Sequence, residues 1–184
     1  MNASIPLFRR PFYFVRHGET EMNVTQRVAG SIDTGLTALG RQQAREAAAV
    51  LAAHPITAIY TSPLGRARDT ATPIAEVLGL PVTVIPEIAE RNWGVLEGQP
   101  RGSRMRGTTP EGAETPEAFM QRVLSGFAQI DSEAPLIVGH SGVYRVLCRA
   151  LAIVEDAIPV ENALPLRCAP LAEGGWTLLP LTVR

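Results

Sequence analysis

Arg16-His17-Gly18-Glu19-Thr20 follows Phe12-Tyr13-Phe14-Val15, an aromatic and β-branched run that predicts a buried strand. An arginine, a histidine and a glycine where a strand runs out are poor core residues and good residues for gripping and attacking an anion. The fork of Arg16 can hold two phosphoryl oxygens at once. His17 can be a nucleophile or a proton carrier near neutral pH, and Gly18 lets the backbone approach a ligand. A buried structural histidine is the bland alternative, and it loses ground because functional residues gather where strands hand over to loops.

Other chemistry-bearing residues sit at similar handover points. Ile56 to Tyr60 predicts a second strand, and Ser62-Pro63-Leu64-Gly65-Arg66 follows it. Val82 to Ile85 predicts a third, with Glu90 a short connection beyond. Pro135 to Val138 predicts a fourth, followed by Gly139-His140-Ser141-Gly142. Between the strands the spacing predicts helices. One runs from Gly40 to Ala53 with Thr37 as its N-cap and Pro55 ending it. Another is capped by Ser62 with Pro63 in its first turn, runs to about Leu78 and is stopped by Gly79. Pro116 to Ile130 and Val143 to Ile153 complete the set. Met22 to Gly35 and most of Glu90 to Thr115 read as loop, and two more strands are expected around Gly174-Gly175. Alternating strands and helices imply a mainly parallel sheet covered on both faces, with ligands bound beyond the carboxyl ends of its strands. Four strand ends would thus bring Arg16, His17, Arg66, Glu90 and His140 to one edge.

Composition narrows the classes. A chain of 184 residues suits one domain, residues 1–184, with a substantial core. A formal net charge of −1 gives no reason to expect a nucleic acid or membrane partner, and 46% hydrophobic content argues against disorder. All 17 basic residues are arginine. That excludes a lysine Schiff base and the lysine-containing phosphate loop of nucleotide hydrolases. Cys148 and Cys168 read as small buried residues, and the lack of a long apolar run near the N-terminus favours a reducing cytoplasm.

Five blocks in order then carry a resemblance: F-V-R-H-G-E-T with Asn23, Gly30 and Asp33; L-T-A-L-G-R-Q-Q-A from Leu36; T-S-P-L-G-R-A-R-D-T-A from Thr61; E-R-N-W-G-V-L-E-G from Glu90; and V-G-H-S-G from Val138. The chain resembles the histidine phosphatase, or phosphoglycerate mutase-like, superfamily. The resemblance implies a three-layer α/β/α sandwich. It implies His17 as a nucleophile that becomes phosphohistidine, its second ring nitrogen donating to a backbone carbonyl. Arg16 and Arg66 would hold the non-bridging oxygens, and His140, protonated beside the anion, would donate to the same group. Glu90 would protonate the leaving oxygen and later accept a proton from water, which implies a mildly acidic to neutral optimum. Asn23 and Gly30 match positions near the phosphate, with a plain turn role as the alternative, and the Ser141-Gly142 amides would face the anion. No cofactor and no metal are implied, and the partner is a small phosphate monoester.

Secondary residues have their own expectations. Glu19 is read as structural, Arg91 and Glu97 as a surface pair, His54 as an exposed C-terminal cap, and Trp93 as a pocket wall. Arg101, Arg104 and Arg106 are either solvated or placed for a second anionic group. The chain departs from the family at Ala29 and Met22, where relatives carry Ser or Gln and Trp, and in its short segment between Gly98 and Pro116. That compactness favours hydrolysis over mutase chemistry. Phosphoryl transfer between substrate positions and a non-catalytic phosphate-binding module are the alternatives. A serine-hydrolase elbow at Gly139-His140-Ser141-Gly142 lacks its final glycine and leaves the two arginines unexplained.

Overall fold

The computed structural model describes residues 5–105, 108–154 and 160–182. Six strands form one sheet: β1 (Phe12–Arg16), β2 (Ala58–Thr61), β3 (Val82–Val84), β4 (Pro135–Gly139), β5 (Pro165–Pro170) and β6 (Trp176–Pro180). Their order is β3-β2-β4-β1-β5-β6. The first four in that order are mutually parallel, and β5 and β6 extend the sheet antiparallel beyond β1.

Alternation along the strands feeds two cores. Tyr13 and Val15 point to one face, where Ile59, Leu136 and Val138 meet α2 (Ala38–Leu51) and α3 (Gly65–Leu78). Phe12 and Phe14 point to the other, where Ile137, Leu166 and Cys168 meet α4 (Pro116–Phe127) and α5 (Ser141–Ala150). This is the expected three-layer sandwich. The central β1 and β4 are buried along nearly their whole length, which is why their sequences read as unbroken apolar runs. Edge strand β3 is exposed throughout. Cys148 and Cys168 are both buried and unbridged.

Several boundaries differ from the sequence expectation for identifiable reasons. The segment read as loop from Met22 contains a one-turn helix, α1 (Glu21–Val24), closed by a capping box between Thr20 and Asn23. Four residues carry too little periodicity to show in a sequence. Helix α2 ends at Leu51, ahead of Pro55, although Thr37 caps it as expected by accepting from the Gly40 amide at 3.0 Å. Ser62 is not a helix cap: α3 starts at Gly65, and Ser62 Oγ instead reaches a histidine. Helix α3 does end as read, with Gly79 left-handed at φ 65°. His54 is half-buried and rests against the Tyr13 ring rather than capping in solvent.

One close approach aims the first loop. A Cβ on Gly18 would collide with the Gly40 carbonyl, and one on Gly40 with the backbone of Glu19. The chain leaving β1 therefore lies directly on the first turn of α2. The Thr37 amide donates to the Glu19 carbonyl at 2.9 Å and the Thr37 hydroxyl to the Glu19 carboxylate at 2.8 Å, so Glu19 is structural as expected.

Candidate active site

Because β1, β2, β3 and β4 run parallel, their carboxyl ends share one sheet edge. Beyond it lies a cavity of about 340 Å³. Arg16, His17, Asn23, Gly30, Arg66 and Glu90 line it, and Ser141 joins them. His140 is fully buried behind this surface, with its ring centroid 5.3 Å from that of His17. The sequence-predicted residues are thus brought together.

His17 is held by backbone contacts. Its amide donates to the Gly139 carbonyl at 2.9 Å, and its own carbonyl accepts from Asn162 Nδ2 at 2.9 Å. Its Nδ1 lies 2.7 Å from the Gly18 carbonyl, which can only accept, so Nδ1 carries the proton. Nε2 keeps its lone pair. Burial pushes the His17 pKa well below its ordinary value, and the charges of Arg66 and Arg16 push it further. The imidazole is therefore neutral across the physiological range.

Arg66 is 1% exposed and held from three sides. Nη1 donates to the Ile32 carbonyl at 2.7 Å and Nη2 to the Gly30 carbonyl at 2.8 Å, with Asp33 3.8 Å from Nη1. Gly30 thus serves in a left-handed turn, φ 55°, whose carbonyl positions the arginine. Arg16 donates through Nη1 to the Val160 carbonyl at 3.0 Å. Burial, then Arg101, lower the Arg16 pKa to about 10, so it remains charged at neutral pH. Arg16 Nε, Arg66 Nε and His140 Nδ1 are buried without a partner among the described residues. Nitrogens in that state are costly unless something accepts from them.

Ser62 is a residue that sequence reasoning mistook. Its Oγ lies 2.7 Å from His140 Nε2 and accepts from the Leu64 amide at 3.2 Å. That contact orients His140 and leaves Nδ1 as the unpartnered atom. Burial first, then Arg66, His17 and Arg16, push the His140 pKa well below its ordinary value. The ring is neutral as it stands. The expected protonated form needs the charge of an anion to offset those three neighbours.

Both buried histidines make stability depend on pH. In the unfolded chain each titrates near 6.5, whereas in the fold both pKa values lie well below. Below about pH 6.5 the unfolded state therefore binds protons that the folded state does not. Stability is complete above that pH and declines by about 1.4 kcal/mol per histidine per pH unit below it, until the folded values are reached. The urea midpoint should fall between pH 7.5 and 5.5; a flat midpoint would mean that neither ring is held neutral.

Glu90 sits where α5 begins. Its Oε1 accepts from the Arg91 amide at 2.8 Å and its Oε2 from the Gly142 amide at 2.9 Å, with the Ser141 hydroxyl at 3.5 Å. The Gly142 amide is thus committed to Glu90 and does not face the cavity as expected. A Cβ on Gly142 would overlap the Glu90 carboxylate. Gly142→Ala should therefore lower kcat/KM at least ~10-fold while leaving the melting temperature within a few degrees, since Ala favours the helix by ~1 kcal/mol. Wild-type kinetics in this variant would show that the carboxylate position is unimportant.

Arg122 on α4 is another residue the sequence did not signal. It donates to the Glu114 carboxylate through Nε and Nη2, both at 2.8 Å, and to the Glu87 and Ala89 carbonyls at 2.6 and 3.1 Å. It ties down the segment that delivers Glu90. Arg91 does not pair with Glu97: its Nε donates to the Glu114 carbonyl at 2.8 Å and its guanidinium lies 4.2 Å over Trp93. Glu97 accepts instead from Ser31 and from the Trp93 amide. Trp93, Arg101 and Arg104 line the cavity, as do Arg27 and Arg145, which the sequence reading passed over. Arg106 lies outside the described residues. Among the described residues no three His, Cys, Asp or Glu side chains group as metal ligands, and no helix is long and apolar enough to cross a membrane.

Comparison with known proteins places the chain in a family. Residues 12–164 match the histidine phosphatase superfamily (branch 1). A Bacillus subtilis protein named "Uncharacterized phosphatase PhoE" is 36% identical over 140 residues, covering 72% of this chain and 72% of that one. A Yersinia pestis protein named "Probable phosphoglycerate mutase GpmB" is 36% identical over 194 aligned positions, covering 90% and 89%. The native mycobacterial glucosyl-3-phosphoglycerate phosphatase superposes with a TM-score of 0.73 at 28% identity, covering 95% of this chain and 99% of that one. That enzyme has also been solved in complex with VO3. With its motifs at the ends of a mainly parallel sheet, the chain belongs to branch 1 of the histidine phosphatase superfamily, as a compact enzyme of the phosphoglycerate mutase-like fold.

Proposed function

We propose that this chain, acting as a single domain over residues 1–184, hydrolyses small phosphate monoesters through a phosphohistidine at His17. The observation that carries the reading is the state of His17: Nδ1 is committed to the Gly18 carbonyl, and its ring lines a cavity shared with Arg16 and Arg66. Nε2 attacks phosphorus and the bond to the leaving oxygen breaks. Arg16 and Arg66 hold the non-bridging oxygens, and His140 Nδ1 donates to the same group. Phosphoryl transfer needs mainly positioning and charge stabilisation, and these three supply both. Glu90 gives its proton to the leaving alcohol, then takes one from the water that attacks phosphohistidine, which returns His17 to its starting state.

Asn23 and Ser141 complete the substrate contacts in this reading. Asn23 lines the cavity and its Oδ1 accepts from Asn162 and Thr20, so in this reading its amide nitrogen is the group that donates to substrate. The similarity of the chain to a named phosphatase, together with its short segment between Gly98 and Pro116, supports hydrolysis over transfer. Phenyl phosphate should release inorganic phosphate at an undiminished rate in excess chelator, because arginines and histidines supply the charge. Transfer of phosphate between two positions of a substrate without net release would favour a mutase instead. Loss of turnover with chelator would contradict the metal-independent mechanism.

A further inference from the structure

Two cavities meet at Glu90. The first holds His17 and the arginine pair. The second, of about 220 Å³, also reaches Glu90 but not His17, Arg16 or Arg66, and Pro116, Phe119, Met120 and Val146 form its apolar floor. Glu90, Trp93, Arg104, Ser141 and Arg145 line both. A general acid must touch the leaving oxygen, so the group attached to that oxygen passes the acid on the side away from His17. The second cavity is where that path leads.

The charges around the junction are unbalanced. Arg16 and Arg66 match a phosphoryl dianion. Arg101, Arg104 and Arg145 remain, and among the described residues none has a carboxylate within ion-pair distance. Arg104 lies 5.2 Å over the Trp93 ring and is half-buried. Burial lowers its pKa, and repulsion from Arg145 and Arg101 lowers it further. Arginines crowded beside one another at a cavity mouth are tolerated at a cost that a bound anion would relieve.

We propose that the second cavity is the leaving-group subsite, and that it selects alcohols with an aromatic or hydrocarbon body bearing a second negative charge. This rests on the phosphatase reading for the orientation of substrate about Glu90. The apolar floor takes the body, and Arg104 and Arg145 take the distal anion. A small polar alcohol would leave the floor uncovered, and a distal cation would meet Arg104 and Arg145.

Binding of non-hydrolysable phosphonates tests the subsite independently of turnover. Calorimetry at physiological salt would compare methylphosphonate, benzylphosphonate, 4-(carboxymethyl)benzylphosphonate and 4-(aminomethyl)benzylphosphonate. The carboxymethyl compound should bind about tenfold tighter than benzylphosphonate. Methylphosphonate and the aminomethyl compound should each bind more weakly than benzylphosphonate. In Arg104→Gln and in Arg145→Gln the ratio between carboxymethyl and unsubstituted compounds should fall toward one, a comparison internal to each variant and insensitive to its folded fraction. Equal affinity for the three benzyl compounds, tighter binding of the cationic one, no gain from methyl to benzyl, or no phosphonate binding at all would overturn the proposal. Phenyl phosphate turnover in the same preparation separates the two ideas: phosphonate preference without phosphate release would sink the hydrolase reading and leave the subsite standing.

Discussion

His17→Ala should abolish phosphate release from phenyl phosphate, by at least about 10⁴-fold in kcat, while the protein stays folded. The size follows from the role: with no nitrogen to accept the phosphoryl group, the arginines can still bind substrate but have nothing to transfer it to. Binding should survive, because the anion's contacts come from Arg16, Arg66 and His140. The fold should survive because His17 is anchored through its backbone, by the Gly139 carbonyl and Asn162 Nδ2, and the substitution removes neither contact. A readout of phosphonate affinity beside turnover separates the two effects. If His17→Ala kept even a tenth of wild-type turnover, the ring would be a bystander to the chemistry.

Glu90→Gln should lower kcat by roughly 10² to 10⁴ on alkyl phosphates, the usual range for a general acid. The loss should be far smaller on p-nitrophenyl phosphate, whose leaving group departs without a proton. That contrast distinguishes proton donation from a structural role. The distinction is needed here because Glu90 also holds the start of α5: its two oxygens accept from the Arg91 and Gly142 amides. A glutamine offers one carbonyl oxygen for two donors, so some stability is lost as well, about 1–2 kcal/mol. A merely structural Glu90 would slow both substrates equally.

The site was legible in the sequence to the extent that each residue type was incompatible with its surroundings. Arg16 and His17 at the end of an aromatic strand, and His140 at the end of an apolar one, have no bland packing role that matches their position. Once the strands are read as parallel, their ends must share an edge, and the cluster follows from topology. Ser62 was misread because a serine before a proline satisfies the local rule for a helix cap. The long-range contact to His140, 78 positions away, won instead, and α3 begins at Gly65. Arg122 left no local signal, because it acts through carbonyls and a carboxylate on a distant loop. Gly142 reads from sequence as an amide facing the anion, but that amide binds the Glu90 carboxylate, which also occupies the space a Cβ would take. Arg91 shows the same limit: its nearness to Glu97 in sequence suggested a pair, but the turn between them sends Glu97 to Ser31 and Arg91 to Glu114. Arg104 was visible only as part of a basic run and Arg145 not at all, and their convergence on a second cavity required the fold.

The most direct test of the mechanism is to look for the covalent intermediate. Substrate carrying labelled phosphate would be mixed with excess enzyme, quenched in alkali within one turnover, and the peptides mapped by mass spectrometry. The mechanism predicts an acid-labile, alkali-stable phosphoryl group on His17, absent from His17→Ala and longer-lived in Glu90→Gln, where activation of the attacking water is impaired. Full turnover with no phosphohistidine at any time point, or label on Ser141 or His140 in its place, would contradict it.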